Sequence, residues 1–180
     1  MKQPLTCVEI CAGAGGQALG LAMAGFVHVA LIEYEKEYCE ILKQNRPEWN
    51  VICQDVCNFD GTEYAGVDLL AGGVPCPPFS IAGKQLGKDD ERDLFPEAVR
   101  LVGEIKPRAV MLENVRGFLD PRFNEYRENL FLQLRNLMKI GLMLLLIDYT
   151  NVLALGISRL MCENRFGIVL FSKLSLAISL

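Results

Sequence analysis

The chain has 180 residues, 51% of them hydrophobic, and a formal net charge of −4. That length and apolar content hold one ordinary domain with a real core, and exclude a disordered, repetitive or low-complexity chain. The acidic balance does not suit a complete nucleic-acid binder, which carries a basic face. Strand-like and helix-like segments alternate from the start. Residues 6–10 read as a short strand, followed by a glycine-rich turn and a helix over 17–24 closed by Gly25. Residues 28–32 read as a second strand, and 35–45 as a helix stopped by Pro47. Further strands are predicted at 50–53, 68–71 and 109–112, and helices at 93–105 and 124–140. The last helix sets Tyr126, Leu130, Leu134 and Leu137/Met138 on one face. The strands are apolar on both sides, as buried parallel strands are. The predicted fold is α/β, a doubly wound and mostly parallel sheet, with no linker dividing it.

Seven cysteines (Cys7, Cys11, Cys39, Cys53, Cys57, Cys76 and Cys162) are spread without a tight framework, and the N-terminal residues do not resemble a signal peptide. Reduced thiols in the cytoplasm are the expectation. No Cys-x-x-Cys pair is present and His28 is the only histidine, so no metal site is expected. His28 sits on an apolar strand and reads as structural rather than as a base.

The first chemical motif is Glu9-Ile-Cys11-Ala12-Gly13-Ala-Gly15-Gly16. Glycines at a strand-to-helix turn let the backbone approach a ligand, and the helix start favours an anionic group. Glu33 ends the second strand, where a carboxylate can accept both hydroxyls of a ribose. Asp55 ends the third, where it can bond an adenine amino group or cap a turn. The loop also satisfies the dinucleotide fingerprint as Gly13-x-Gly15-x-x-Ala18. A NAD-dependent oxidoreductase is therefore the alternative reading.

The second motif is Asp68-Leu-Leu-Ala-Gly-Gly-Val-Pro75-Cys76-Pro-Pro-Phe-Ser80. An apolar run ends in glycines, and a thiol follows between prolines where a strand leaves the sheet. A cysteine placed for packing needs no stiffened loop; a nucleophile does. A later run, Ala109-Val-Met-Leu-Glu113-Asn114-Val115, ends in a carboxylate that can serve as an acid if poorly solvated. Together these motifs point to methyl transfer onto a nucleic-acid base.

On these residues the sequence resembles the cytosine-5 DNA methyltransferases of bacterial restriction–modification systems. Cys11-Ala12-Gly13-Ala-Gly15-Gly16 is similar to that family's first motif, usually with phenylalanine at the position of Cys11. Glu33-Tyr34 resembles its ribose-binding acid and adenine-packing aromatic, and Asp55-Val56 its adenine-contacting pair. Pro75-Cys76 matches the nucleophile motif, with Pro77 where glutamine is common. Glu113-Asn114-Val115 matches the glutamate–asparagine–valine motif, and Asp93-Leu94-Phe95 the segment flanking the methyl donor. The resemblance implies a Rossmann-like fold binding S-adenosylmethionine through Cys11, Ala12, Gly13, Gly15, Gly16, Glu33, Tyr34, Asp55, Val56, Pro75 and Leu94. It implies that Cys76 attacks C6 of a flipped cytosine in duplex DNA while Glu113 protonates N3.

The C-terminus departs from that pattern. The family continues with an arginine motif, a target-recognition domain and a segment that returns to the catalytic domain. Residues 142–180 are instead leucine-rich and nearly uncharged. Asp148, Asn151 and Arg159 interrupt any membrane span. The expectation is a catalytic part over residues 1–141 and a divergent hydrophobic tail over 142–180, produced by a frame shift near Gly141. The fold is then incomplete at its C-terminus, and the chain is weakly active or inactive alone, or a non-catalytic remnant. The missing recognition domain accounts for the charge, since 84–108 carries six basic and six acidic residues. An unpaired sheet edge leads one to expect self-association.

Overall fold

The computed structural model describes residues 3–75 and 93–138, together with two later strands. The strands are β1 (Leu5–Ile10), β2 (Phe26–Glu33), β3 (Val51–Cys53), β4 (Leu69–Gly73), β5 (Ala109–Asn114), β6 (Leu142–Ile147) and β7 (Gly167–Phe171). All pair in parallel, in the order β3-β2-β1-β4-β5-β6-β7. The chain thus winds outward from β1 to β3, returns to the other side of β1, and continues to β7. The winding reverses between β1 and β4, the switch point beyond whose strand ends folds of this kind form their ligand crevice.

The helices are α1 (Gly16–Met23), α2 (Lys36–Asn45), α3 (Phe95–Ile105) and α4 (Asn124–Leu137). On one face of the sheet, Val8, Ile10, Ile32, Leu70, Val110 and Leu112 pack against Phe95, Leu101 and Ile105 of α3 and Leu130 and Leu134 of α4. On the other, Cys7, Leu69, Ala71 and Met111 meet Leu21 of α1. Leu31 and Val51 meet Ala18 of α1 with Cys39 and Leu42 of α2. Burial on both faces explains why the strands lack polar alternation. Doubly wound α/β architecture is what the sequence pattern led us to expect.

Several boundaries differ from the sequence reading, each for a local reason. Asp93 stands outside α3: its Oδ1 accepts the Phe95 N–H at 3.0 Å, and the Tyr126 hydroxyl donates to its Oδ2. Pro96 then occupies the first turn, where a missing N–H costs nothing. Helix α4 ends at Leu137, and it buries Phe131 alongside Leu130 and Leu134 while Leu137 stays 46% exposed. Strand β2 starts at Phe26, which seals the end of α1 against Leu21. A bulge shifts its register against β1, so that Cys7 faces His28 but Val8 faces Ala30.

Asp68 latches the N-terminal ends of the strands. Its Oδ2 accepts the Thr6 N–H at 2.9 Å, and Arg108 donates to its Oδ1 at 2.6 Å. Arg100 of α3 donates to the carbonyls of Val56 and Phe59 at 2.9 and 3.1 Å, pinning the segment after β3. Among the described residues no helix is long and apolar enough to cross a membrane. Residues 148–166 and 172–180 of the expected tail lie outside the described residues.

Candidate active site

The crevice is built from the ends of β1, β2, β4 and β5. Leaving β1, the chain takes left-handed conformations at Cys11 (φ 52°), Gly13 (φ 54°) and Gly15 (φ 87°) before α1 begins. Such backbone suits glycine and strains other residues, so the loop's composition follows from its path. A Cβ on Gly15 would lie 2.6 Å from Leu42 Cδ2, whereas Gly13 and Gly16 face open space. The loop is therefore seated against α2 on one side and accessible on the other.

Glu33, at the end of β2, is buried and holds that loop in place. Its Oε2 accepts the Gly13 N–H at 2.7 Å, and its Oε1 accepts the Glu35 N–H at 2.8 Å. Each carboxylate oxygen keeps a lone pair for a second donor, such as a ribose hydroxyl. Beside it Tyr34 is 66% exposed, a ring free to pack on a ligand. Asp55 accepts the Cys57 N–H at 2.9 Å and so caps the short helical turn Val56–Asn58. Val56 points into the core instead of the crevice. Ala12 is also buried, between α1 and α2. Leu94 is partly buried against the α3–α4 layer, and Pro75 is exposed.

Thiols cluster at this edge. Burial, then the Glu33 carboxylate, then Cys57 and Asp55, push Cys11 up to about 12. The Cys39 thiol donates to the Glu33 carbonyl at 3.3 Å, and burial followed by contact with Cys53 raises it to about 12. Both therefore rest as protonated thiols near neutral pH. Among the described residues no group of three or more His, Cys, Asp or Glu could hold a metal ion.

Across the switch point stand β4 and β5. Gly73 pairs with Glu113, and a Cβ on Gly73 would lie 3.5 Å from Glu113 Oε2. The Glu113 carboxyl thus leans over the strand that leads to Pro75. Asn114 is buried, donating from Nδ2 to the Val74 carbonyl at 3.0 Å and accepting the Val115 N–H at 2.9 Å. It ties β5 to the exit of β4. The sequence reading quoted Asn114 in a motif but gave it no role; a buried asparagine at a strand end was the available signal. Cys76 itself, with residues 77–92, lies outside the described residues.

A second buried group sits under the loop. Glu9 Oε2 and His28 Nε2 are 3.1 Å apart with both side chains fully buried, and the His28 ring lies tilted against Trp49 with centroids 5.2 Å apart. Burial raises the Glu9 carboxyl, against the lowering effects of His28 and the Ala18 backbone N–H in the first turn of α1. His28 is accordingly a core residue with a carboxyl partner, away from the crevice.

Residues 5–138 match the C-5 cytosine-specific DNA methylases. The chain is 66% identical over 136 residues to type II methyltransferase M.NgoMIV of Neisseria gonorrhoeae, covering 76% of this chain and 44% of that protein. It is 54% identical over 138 residues to M.NaeI of Lentzea aerocolonigenes, covering 75% of this chain and 33% of that one. The chain therefore spans less than half the length of these curated relatives. Among solved structures it resembles one described as a prophage-encoded DNA modification methyltransferase from Escherichia coli (TM-score 0.63, 26% identity, 73% of this chain and 38% of that one). The Spodoptera frugiperda DNMT2 structure shares the fold (TM-score 0.57, 24% identity, 74% and 41% covered).

Proposed function

Since the chain belongs to the family of C-5 cytosine-specific DNA methylases, we propose that it carries the donor-binding and base-attacking part of a DNA cytosine methyltransferase. The system it serves is restriction–modification, in the cytoplasm, with duplex DNA as substrate. One observation carries the proposal. A glycine loop held by Glu33 and a carboxyl held over Gly73 stand at strand ends on the two sides of the switch point between β1 and β4. A NAD-dependent oxidoreductase would use the first and has no use for the second, and the relatives are methyltransferases.

S-adenosylmethionine, when bound, supplies an electrophilic methyl group. The open flank of the glycine loop at Gly13 and Gly16, with the remaining lone pairs of Glu33, fits its ribose and methionine parts. In this reading Tyr34 packs on the adenine and Asp55 meets its amino group. Cys76 adds to C6 of cytosine, which makes C5 nucleophilic, and Glu113 gives a proton to N3. Asn114 fixes the exit of β4 at Val74, two residues before Cys76 in the sequence. Residues 1–141 supply these groups, and the parts that read DNA sequence belong to regions outside them.

The test is a chimera in which residues 1–138 replace the matching part of the Neisseria relative. It is expected to transfer label from tritiated donor to cytosine, and to form a covalent adduct with DNA containing 5-fluorocytosine. Cys76→Ala should abolish the adduct and keep DNA binding. An adduct mapped by mass spectrometry to another cysteine overturns the assignment.

A further inference from the structure

Two thiols that this chemistry does not use flank the Glu33–Tyr34 peptide. Cys39, on α2, is buried and donates to the Glu33 carbonyl at 3.3 Å. Cys53, at the end of β3, is exposed, pairs with Glu33 across the strands, and has its sulfur 4.0 Å from the Tyr34 carbonyl. The two side chains interact directly. One accessible sulfur and one shielded sulfur in contact, astride the residue that holds the glycine loop, make a pair suited to oxidation.

We propose that Cys39 and Cys53 are a redox site, joined by a peroxide-class oxidant into a reversible disulfide that weakens donor binding; this control of binding rests on the function proposed above. The exposed Cys53 sulfur reacts first. It takes one oxygen as the peroxide O–O bond breaks, leaving a sulfenic acid and one water. The Cys39 sulfur then attacks that sulfur; the S–O bond breaks, and the departing hydroxide leaves with the Cys39 proton as a second water. Two thiols lose two electrons and two protons in all, and the peroxide is reduced to water. Forming the bond draws the Cys39 thiol off the Glu33 carbonyl, so the β2 end that carries the loop-holding carboxylate shifts with it.

The experiment uses the whole 180-residue chain, treated with hydrogen peroxide and digested without reductant. Mass spectrometry is expected to find the Cys39 and Cys53 peptides linked and lighter by two hydrogens, and separated again by dithiothreitol. Cys57→Ser should keep the link, and Cys53→Ser should lose it. In calorimetry the oxidised chain should bind S-adenosylmethionine about tenfold more weakly, the scale of one charged hydrogen bond. Reduction should restore binding, and Cys53→Ser should ignore peroxide. A link that never forms, or that joins Cys57 instead, overturns the site. A correct link with unchanged affinity overturns its control of binding. Failure of the reduced chain to bind the donor overturns the function proposed above, and the link map then decides the thiol pair by itself.

Discussion

Both carboxylate oxygens of Glu33 already accept backbone N–H groups, so this residue shapes the crevice before any ligand arrives. The sequence placed it as a ribose acceptor, and the structure adds the task of holding a left-handed loop. The two tasks separate by measurement. Glu33→Ala should lower the melting temperature, because two backbone donors lose their partner, at about 1–3 kcal/mol. It should also weaken donor binding in calorimetry. Glu33→Gln keeps an oxygen for one donor and should recover part of the stability. A Glu33→Ala chain with unchanged melting would mean that the loop holds itself.

At the level of elements, the crevice depends on how closely β1 and β4 approach. A Cβ on Gly72 would meet the Ile10 carbonyl oxygen at 2.9 Å and Ile10 Cγ1 at 2.6 Å. Backbone in the middle of a paired sheet cannot yield cheaply, so Gly72→Ala should destabilise the fold by about 1–3 kcal/mol, read in denaturant unfolding. Equal stability would show that the sheet tolerates spreading there. Most elements were legible beforehand because parallel strands buried on both faces and amphipathic helices leave strong local patterns. The contacts that finish the site were not. Asn114 reaches Val74 and Glu9 reaches His28 only through strand register, and the bulge between Cys7 and Val8 has no local signature. Of the Leu137/Met138 pair offered for the end of the α4 face, Met138 packs against the core and Leu137 stays outward, a choice periodicity alone does not make.

Over the whole molecule, acidic charge and a hydrophobic sheet set the solution behaviour. The two edges are unequal. Strand β3 has three residues and offers little to pair with, while β7 closes the other end of the order. Short edges resist pairing, so association is expected to run through the β7 side and the apolar residues after Gly141. Light scattering of the full chain should find oligomers. A sharp monomer for the full chain would contradict this.

The strand order also sets a timetable. The glycine loop and Glu33 are 20 residues apart, whereas the Thr6–Asp68 latch spans 62 and the Asn114–Val74 bond 40. During synthesis at about 5–20 residues per second, β1 and β2 can pair at once, but β4 leaves the ribosome roughly forty residues later. For about 2–8 seconds β1 has a neighbour on one side only. Its other edge, apolar and hydrogen-bond hungry, is open to whatever is nearby. The β1 edge that later receives β4 is, in the nascent chain, the place most in need of a chaperone.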